Sequence, residues 1–378
     1  MSLLAISVLA LIVQAEDRQV FVDPGASDGP ARILSTQLGL QARFTAVASP
    51  VPTFVLRVGE EGLPSVVVIE RPPVGEERQL PSHAKLTRAG EIARTIIAES
   101  EELEFAVEVI VHPGFVEGSK GSVDFDLNFP TGWDRAKEKH GAEAGYYPGQ
   151  RADVGVIVDW LLAPERGACL GVVALGAAPA RAVDLVEHGI SKRPSPVRAK
   201  ESLAASVRVP GSFEAFVEDE LGRRFLNVPS DSALSDAVRN IYRSSPSFSI
   251  ETEGVRRIGA STWLVDLHVD RSGVPHARSQ ELFECRLGVA ADSGTTSWLG
   301  CALEGPGGVF EVREHFGNSV RFACEKRMQR IRLVVHSDEP PSADERLHLE
   351  AIAPGARPGL LTVPLVDSTV PREPLSGR

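Results

Sequence analysis

The feature that most constrains the fold of this chain is a strict alternation of apolar and polar residues in several short segments. In TWLVDLHVD (262–270), Val265, Leu267 and Val269 fall on one face of an extended chain. This period of two is the pattern of strands with one face on a core and the other in water. The same alternation recurs in ELEFAVEVIV (102–111), GSVDFDLNF (121–129), RIRLVVHS (330–337) and RLHLEAI (346–352).

Helical patterns are scarcer than strand patterns. One segment, SDSALSDAVRNIY (230–242), places Leu234, Val238 and Ile241 at helical spacing, with Ser and Asp available to cap its start. Residues 85–100 are compatible with a helix or a strand. Gly- and Pro-rich turns separate the alternating segments. The chain is therefore predicted to be mainly β, with two or three antiparallel β-sandwich-like units and one or two short helices.

Two polar stretches that contain proline, 68–83 and 189–202, are typical of linkers between folded units. They divide the chain into an N-terminal β region whose extent is uncertain and two β-sandwich-like domains. With the N-terminal segment considered next, the predicted organisation is a signal peptide (1–15), the β region (16–80) and sandwich-like domains at 81–190 and 200–378.

The N-terminus carries an unbroken apolar run from Leu3 to Val13. This run is shorter than the roughly 20 residues that a membrane-spanning helix needs. Val13 and Ala15 suit a signal-peptide cleavage site before Glu16, although no Lys or Arg precedes the run. The pattern favours export, and the alternative is a first buried strand. No later segment reaches the length of a membrane span, so the mature chain is predicted to be secreted or in the cell envelope, with no membrane span.

The charge distribution bears on the partners. The formal net charge is −11 and the basic residues form no long cluster. Such a surface repels phosphate backbones and anionic lipids, so neither nucleic acid nor an anionic membrane is a predicted partner.

The four cysteines are Cys169, Cys285, Cys301 and Cys324. They lack the C-x-x-C spacing of zinc-ribbon and thioredoxin-like sites. In an oxidising compartment, Cys301 and Cys324 are the preferred disulfide pair, because they lie in two neighbouring strand-like runs, and Cys285 competes for either partner. The alternative is four buried free thiols.

The pattern most suggestive of metal chemistry is the row Asp266, His268 and Asp270. Imidazole and carboxylates ligate zinc and harder cations, but a straight strand presents them in a line and not around a point. Burying the opposite, apolar face is worth about 1.5–3 kcal/mol per side chain, which sets the register. The row is predicted to lie in solvent and to bind no metal, with a metal site as the alternative.

Motifs for catalysis and cofactor binding are missing from the sequence. The row Asp124, Asp126 and Asn128 resembles the start of a calcium loop, but Phe129 and Arg135 occupy the positions of the required Gly and Glu. The chain contains no nucleophile elbow, H-E-x-x-H, P-loop or dinucleotide fingerprint. The sequence favours a non-catalytic protein without a cofactor and leaves open an active site assembled from distant strands.

The best candidate for a binding surface is the segment 129–150, which concentrates aromatic residues between Gly and Pro. Flat aromatic side chains in this setting stack against sugar rings or peptides, and the alternative is that they cap the end of a sandwich. Lys137 lies in the same segment. The predicted ligand-binding residues are Trp133, Asp134, His140, Tyr146 and Tyr147.

Residues 148–190 resemble the opening of cohesin-type β-sandwich modules. PGQRADVGVIVDW (148–160) and GACLGVVALGAAPARAVDLVEHGI (167–190) match the Pro-Gly turn, first strand, second strand and closing Gly of that family. The chain departs at Leu175-Gly176-Ala177, where the family carries an aromatic-Asp-Pro turn, so the resemblance implies the architecture and not dockerin binding. The predicted function is an exported, non-catalytic binding or structural protein with a protein or carbohydrate ligand. A secreted hydrolase is the alternative.

Overall fold

The chain consists of two compact units, unit 1 (Met1–Arg243) and unit 2 (Ser244–Arg378). Each unit has its own hydrophobic core. The computed structural model describes residues 19–22, 42–47, 53–60, 62–72, 82–98, 104–111, 123–163, 169–176, 211–273, 284–292, 296–314, 317–323, 328–338 and 345–366. The predicted signal peptide and the predicted linker at 189–202 lie outside these residues.

Unit 1 is built on one seven-stranded sheet. Its strands are β1 (Gln19–Val22), β2 (Ala42–Val47), β3 (Thr53–Val58), β4 (Ser65–Glu70), β5 (Ala106–Val111), β6 (Cys169–Leu175) and β7 (Arg224–Val228). The helices are α1 (Ser82–Ala98), α2 (Trp133–His140), α3 (Ala152–Leu162), α4 (Phe213–Ala215) with a following π-helical turn (Phe216–Glu220), and α5 (Leu234–Ser244).

The strand order of this sheet is β1-β2-β3-β5-β4-β6-β7. β4, β5, β6 and β7 are parallel to one another, and β1, β2 and β3 continue the sheet with antiparallel pairing. Parallel neighbours require crossover connections, which here contain the helices. The chain passes from β4 to β5 on one side and then to β6 on the other side of β4, so the order of the strands reverses between β4 and β6.

The core of unit 1 lies on both faces of the sheet. Val66 and Val68 of β4 pack with α1 and α5 on one face, whereas Val67 and Ile69 pack with α3 and α4 on the other. Strands that are covered on both faces have nearly continuous apolar sequences, such as SVVVIE and CLGVVAL.

Several sequence predictions for unit 1 are corrected by this arrangement. Residues 123–129 do not form a strand: Phe125–Leu127 is a 3-10 turn, and Asp126 and Asn128 are buried. The first strand of the cohesin-like segment is helix α3, and the undecided residues 85–98 belong to α1. Strand pairing crosses the predicted boundaries near 80 and 190, since β4 pairs with β5 and β6 pairs with β7. The helix at Leu234 is confirmed.

Unit 2 is a β-sandwich, which agrees with the prediction of a mainly β chain with sandwich-like units. A five-stranded sheet has the order β12-β11-β14-β9-β8, and a four-stranded sheet has the order β13-β10-β15-β16. All of their pairings are antiparallel. The strands are β8 (Ser247–Gly259), β9 (Thr262–Ser272), β10 (Glu284–Ala291), β11 (Thr296–Glu304), β12 (Phe310–Arg313), β13 (Ser319–Ala323), β14 (Met328–Ser337), β15 (Arg346–Ile352) and β16 (Gly359–Pro364).

The interior of the sandwich is the alternating apolar face that the sequence predicts. Val265, Leu267 and Val269 of β9 are buried between the sheets together with Leu347 and Leu349 of β15. In the part of the chain that is described, no helix is both long and apolar enough to cross a membrane.

Candidate functional site

A group of buried and half-buried charges lies at the carboxyl edge of the parallel strands of unit 1. In α/β sheets, ligands bind outside the carboxyl ends of the strands, at the point where the strand order reverses. Here that point lies between the ends of β4 and β6. Six side chains surround it and are called the edge cluster: Glu70, Arg71, Lys85, Arg88, Asp126 and Asp153.

Arg71, the residue after β4, ties three elements together at this edge. Its backbone N–H donates to the carbonyl of Leu175 at the end of β6, over 2.8 Å. Its guanidinium donates to Asn227 Oδ1 of β7 over 2.6 Å and to Asp126 Oδ1 over 3.1 Å. The guanidinium also lies 5.8 Å from the ring centroid of Phe225. Arg71 therefore fixes the ends of β4, β6 and β7 and the turn that carries Asp126.

Asp126 is almost fully buried. Burial raises the pKa of its carboxyl group, and the Arg71 guanidinium opposes this shift. The turn around it is fixed by Asp124, whose carboxylate accepts from the Asp126 N–H over 2.9 Å. A buried carboxyl with a perturbed pKa at this edge is a typical mark of a functional site, although structural ion pairs produce the same mark.

Two basic residues lie near the start of α1. Arg88 donates to Glu70 Oε1 over 2.9 Å and to both carboxylate oxygens of Asp231 over 2.7 and 2.8 Å. Lys85 is only 3% exposed, and its Nζ has no hydrogen-bond acceptor among the residues that the structure describes. Burial lowers the pKa of Lys85, and the carboxylate of Asp153 opposes this shift.

The start of α3 supplies the last pair of the edge. Asp153 is fully buried and accepts two hydrogen bonds from Arg151, over 3.0 and 2.7 Å. Arg151 also donates to the carbonyl of Val123 over 2.9 Å, which ties the start of α3 to the turn before Asp126.

The aromatic segment 129–150 begins at this edge, and hydrogen bonds of Asn128 hold it in place. The buried Asn128 side chain donates to the carbonyls of Ala144 and Tyr147 over 2.8 and 2.9 Å and accepts from the Arg151 N–H over 2.9 Å. Gly145 has φ +81°, and a Cβ at this position would lie 2.8 Å from Asn128 Nδ2. The segment, called the loop 129–150 below, contains helix α2 and the 3-10 turn Gly141–Ala144, and the hydrogen bonds of Asn128 hold it in place.

The predicted binding residues occupy different settings in this loop. Tyr146 and Tyr147 are 78% and 59% exposed. Trp133 is half-buried and donates from Nε1 to the carbonyl of Ala144 over 2.8 Å. The structure thus places two tyrosines on the surface, while Trp133 braces the loop.

Three polar residues lie in the same segment as these tyrosines. Asp134 is exposed and His140 is half-buried. Lys137 lies 4.7 Å from the ring centroid of Tyr146, which orients that ring by a cation–π contact. The loop combines exposed aromatic faces with nearby charged groups.

The row Asp266, His268 and Asp270 lies on the outer face of the five-stranded sheet, within a network of charges. Asp266 is 8% exposed, so it is not simply solvated as predicted; Arg332 Nε donates to it over 2.7 Å. His268 lies 3.3 Å from Glu251 and 3.7 Å from Asp270. Within the described ranges, no three or more His, Cys, Asp or Glu side chains are grouped so that they could hold a metal ion.

A groove of about 580 Å³ follows the four-stranded sheet of unit 2. Within it, His348 Nε2 lies 2.6 Å from Asp292 Oδ1, and His348 Nδ1 lies 3.2 Å from Thr362 Oγ1. His348 and Asp292 are about half exposed. The lining residues include Arg286, Gly288, His348, Glu350, Leu360 and Thr362.

Cys169, Cys285 and Cys301 are buried, and no disulfide joins any two of these three cysteines. Burial raises the pKa of Cys301 to about 12. Cys324 lies outside the described residues, so its pairing with Cys301 stays a prediction.

Sequence reasoning missed the edge cluster. Arg71, Lys85, Asp126 and Asp153 belong to no recognised motif and are far apart in the chain. The available signal was the pair of uninterrupted apolar runs SVVVIE and CLGVVAL, which are more typical of parallel than of antiparallel strands.

Comparisons with known proteins give no family. No family model and no curated protein matches the chain. A lipoprotein from Bacteroides thetaiotaomicron is 12% identical, with 34% of this chain and 86% of that one covered and a TM-score of 0.20. A conjugative transposon lipoprotein from Bacteroides eggerthii is 13% identical, with 31% of this chain and 93% of that one covered and a TM-score of 0.19.

A glycosyl hydrolase family 2 member from Bacteroides cellulosilyticus is 15% identical, with 32% of this chain and 15% of that one covered and a TM-score of 0.22. Enzymes and lipoproteins thus score alike. At these TM-scores the matches carry no argument about the function of this chain.

Proposed function

We propose that the protein is an exported, non-catalytic binding protein of the cell envelope or extracellular space, and that the loop 129–150 binds carbohydrate. The observation that carries this proposal is the pair of exposed tyrosines, Tyr146 and Tyr147, on a loop fixed by Asn128. A preorganised aromatic surface loses little conformational entropy on binding, and sugar rings stack on such surfaces. Asp134 and His140, which lie in the same segment, would supply hydrogen bonds to hydroxyl groups.

The location of the loop supports the same proposal. It begins at the carboxyl edge of the parallel strands, where α/β sheets bind their ligands. The hydrogen bonds of Asn128 and Arg151 connect it directly to that edge.

Affinity electrophoresis through gels that contain defined soluble polysaccharides tests carbohydrate binding. We expect at least one polysaccharide to retard the wild-type protein, and Tyr146→Ala with Tyr147→Ala to abolish the retardation. Gly145→Ala should weaken it without removing either ring, because the added Cβ displaces Asn128. Val312→Ala, at an exposed apolar residue of unit 2, is the matched control. Retardation that the tyrosine variants leave unchanged would contradict the proposal.

Export has its own test. The apolar run from Leu3 to Val13 supports a cleaved signal peptide. N-terminal sequencing of native protein should begin at or near Glu16, and a mature chain that begins at Met1 or Ser2 contradicts export.

A hydrolase remains the second candidate, because Asp292, His348 and Thr362 form an acid–imidazole–hydroxyl chain from three different parts of unit 2. In such a chain His348 would take the hydroxyl proton while Asp292 orients the ring. We rank it second because half-exposed charges are screened by water. Hydrolysis of p-nitrophenyl acetate that is lost in His348→Ala and Thr362→Val would favour this function over a purely binding role.

A further inference from the structure

Lys85 differs from every other basic residue of the edge cluster. Arg71 is bonded to Asp126, and Arg88 to Glu70 and Asp231. Lys85 has no carboxylate within ion-pair distance among the described residues, and its Nζ has no acceptor although the residue is 97% buried. Burying an ammonium group without a partner is strongly unfavourable. Among the described residues, this buried ammonium group therefore has no partner.

The position of Lys85 in α1 makes the missing partner an anion. Lys85 is the fourth residue of this 17-residue helix, and the first turn contains no acidic residue. The free N–H groups and the macrodipole give a helix N-terminus a partial positive charge, so a lysine there is repelled and an anion is attracted. A bound anion would satisfy the ammonium group and the helix terminus together.

The surroundings explain why an external anion is needed. Asp153 attracts Lys85 electrostatically, but its carboxylate oxygens are taken by two hydrogen bonds from Arg151. Glu70 accepts from Arg88. Both oxygens of Asp153 and one oxygen of Glu70 are thus already bonded to arginines.

We infer that the N-terminus of α1 and Lys85 form a binding site for a small oxyanion, a carboxylate or a phosphate group, at the carboxyl edge of the unit 1 sheet. The site lies after β4, beside the reversal of strand order. It is separate from the tyrosine surface, so it can be present whether or not the loop 129–150 binds carbohydrate.

The experiment measures the thermal unfolding of the full chain at constant ionic strength, with chloride replaced stepwise by acetate, sulfate or inorganic phosphate. We expect a saturable rise in Tm with at least one oxyanion. Lys85→Met should weaken the apparent affinity by about tenfold or more, because it removes a charged hydrogen-bond donor. Lys137→Met, at a lysine that donates to the Gly145 carbonyl, is the control and should keep the wild-type response.

Two outcomes overturn the inference: no saturable response in the wild type, or the same response in Lys85→Met, which marks the anion as bound elsewhere. If Lys85→Met does not fold, the ζ-nitrogen NMR resonance of Lys85 decides. The resonance is assigned because it is absent from the spectrum of Lys85→Arg. Its chemical shift should change with oxyanion concentration along the same saturation curve as the Tm. A resonance that the anion leaves unchanged contradicts the site. The Tyr146→Ala and Tyr147→Ala variants should respond as the wild type does, which separates this test from that of carbohydrate binding.

Discussion

The guanidinium of Arg71 donates to the carboxylate of Asp126 over 3.1 Å, and both side chains are almost completely buried. The pair joins residues that are 55 positions apart in the chain. It connects the end of a central parallel strand to the turn from which the aromatic loop begins. The binding surface that we propose therefore depends on an ion pair inside unit 1.

Arg71→Met should destabilise unit 1 by about 3–5 kcal/mol, because it leaves Asp126 buried without its cation and Asn227 without its donor. Urea unfolding followed by circular dichroism measures the change. Arg313→Met is the matched control, since Arg313 and Glu311 form a pair in which both side chains are about half exposed. That variant should cost less than about 1 kcal/mol. An equal loss of unfolding free energy in the two variants would show that the buried Arg71–Asp126 pair stabilises the protein no more than an exposed pair.

Lys85 should make the stability depend on pH below the ordinary lysine pKa of 10.5. Burial lowers its pKa from the ordinary 10.5, with Asp153 acting in the opposite direction. The unfolded chain therefore binds this proton more readily than the folded chain, and stability rises with pH from the lowered pKa up to the ordinary value. Below the lowered pKa the full penalty of the buried charge is present.

Lys85→Met should remove that rise, measured as the free energy of unfolding in urea at a series of pH values in chloride buffer. Lys137→Met should retain the wild-type slope. If Lys85→Met has the same slope as the wild type, the pKa of Lys85 is not lowered in the folded protein.

Asn128→Ala should destabilise unit 1 by about 2–4 kcal/mol, because a buried side chain loses three hydrogen bonds to backbone groups. Tyr147→Ala should change stability by no more than about 0.5 kcal/mol, since its ring is exposed. Urea unfolding of the two variants checks this contrast. A large loss in Tyr147→Ala would mean that the ring is structural and would favour the capping interpretation of the loop.

The thiol of Cys301 should be inert in the folded protein. Its pKa of about 12 leaves almost no thiolate near neutral pH, and burial blocks access. Alkylation with iodoacetamide under native conditions should spare Cys301. Unfolding without reductant then distinguishes a free thiol, which reacts, from the predicted bridge to Cys324, which does not react until it is reduced.

Unit 2 follows closely from its sequence, whereas unit 1 does not. In the sandwich each strand has one face toward solvent. The alternation at Val265, Leu267 and Val269 therefore shows directly which face of β9 is buried. In unit 1, β5 is buried on both faces and Glu108 interrupts its apolar run. Glu108 is held inside by Arg57 over 2.6 Å and by Trp160 over 3.2 Å, partners that no local pattern reveals.

The sequence indicates some residues of the candidate site and conceals others, again because local patterns do not reveal distant partners. Tyr146 and Tyr147 stood out because aromatic residues between Gly and Pro mark exposed loops. Asp126 and Asn128 were assigned to the wet face of a strand because VDFDLNF alternates. The 3-10 turn at Phe125–Leu127 instead directs both polar side chains inward, where Arg71 and the carbonyls of Ala144 and Tyr147 bind them.

The row Asp266, His268 and Asp270 should bind no specific metal. Asp266 already accepts from Arg332 over 2.7 Å. A metal would have to displace this arginine, and the ligands along a strand do not converge on one point. EDTA should therefore leave the Tm unchanged, and protein purified without chelator should contain no stoichiometric zinc, manganese or calcium. Arg332→Met should lower stability by about 1–3 kcal/mol, because Asp266 then loses a charged partner while it stays nearly buried. Stoichiometric metal, with a Tm that EDTA and His268→Ala lower equally, would instead establish a metal site on this sheet.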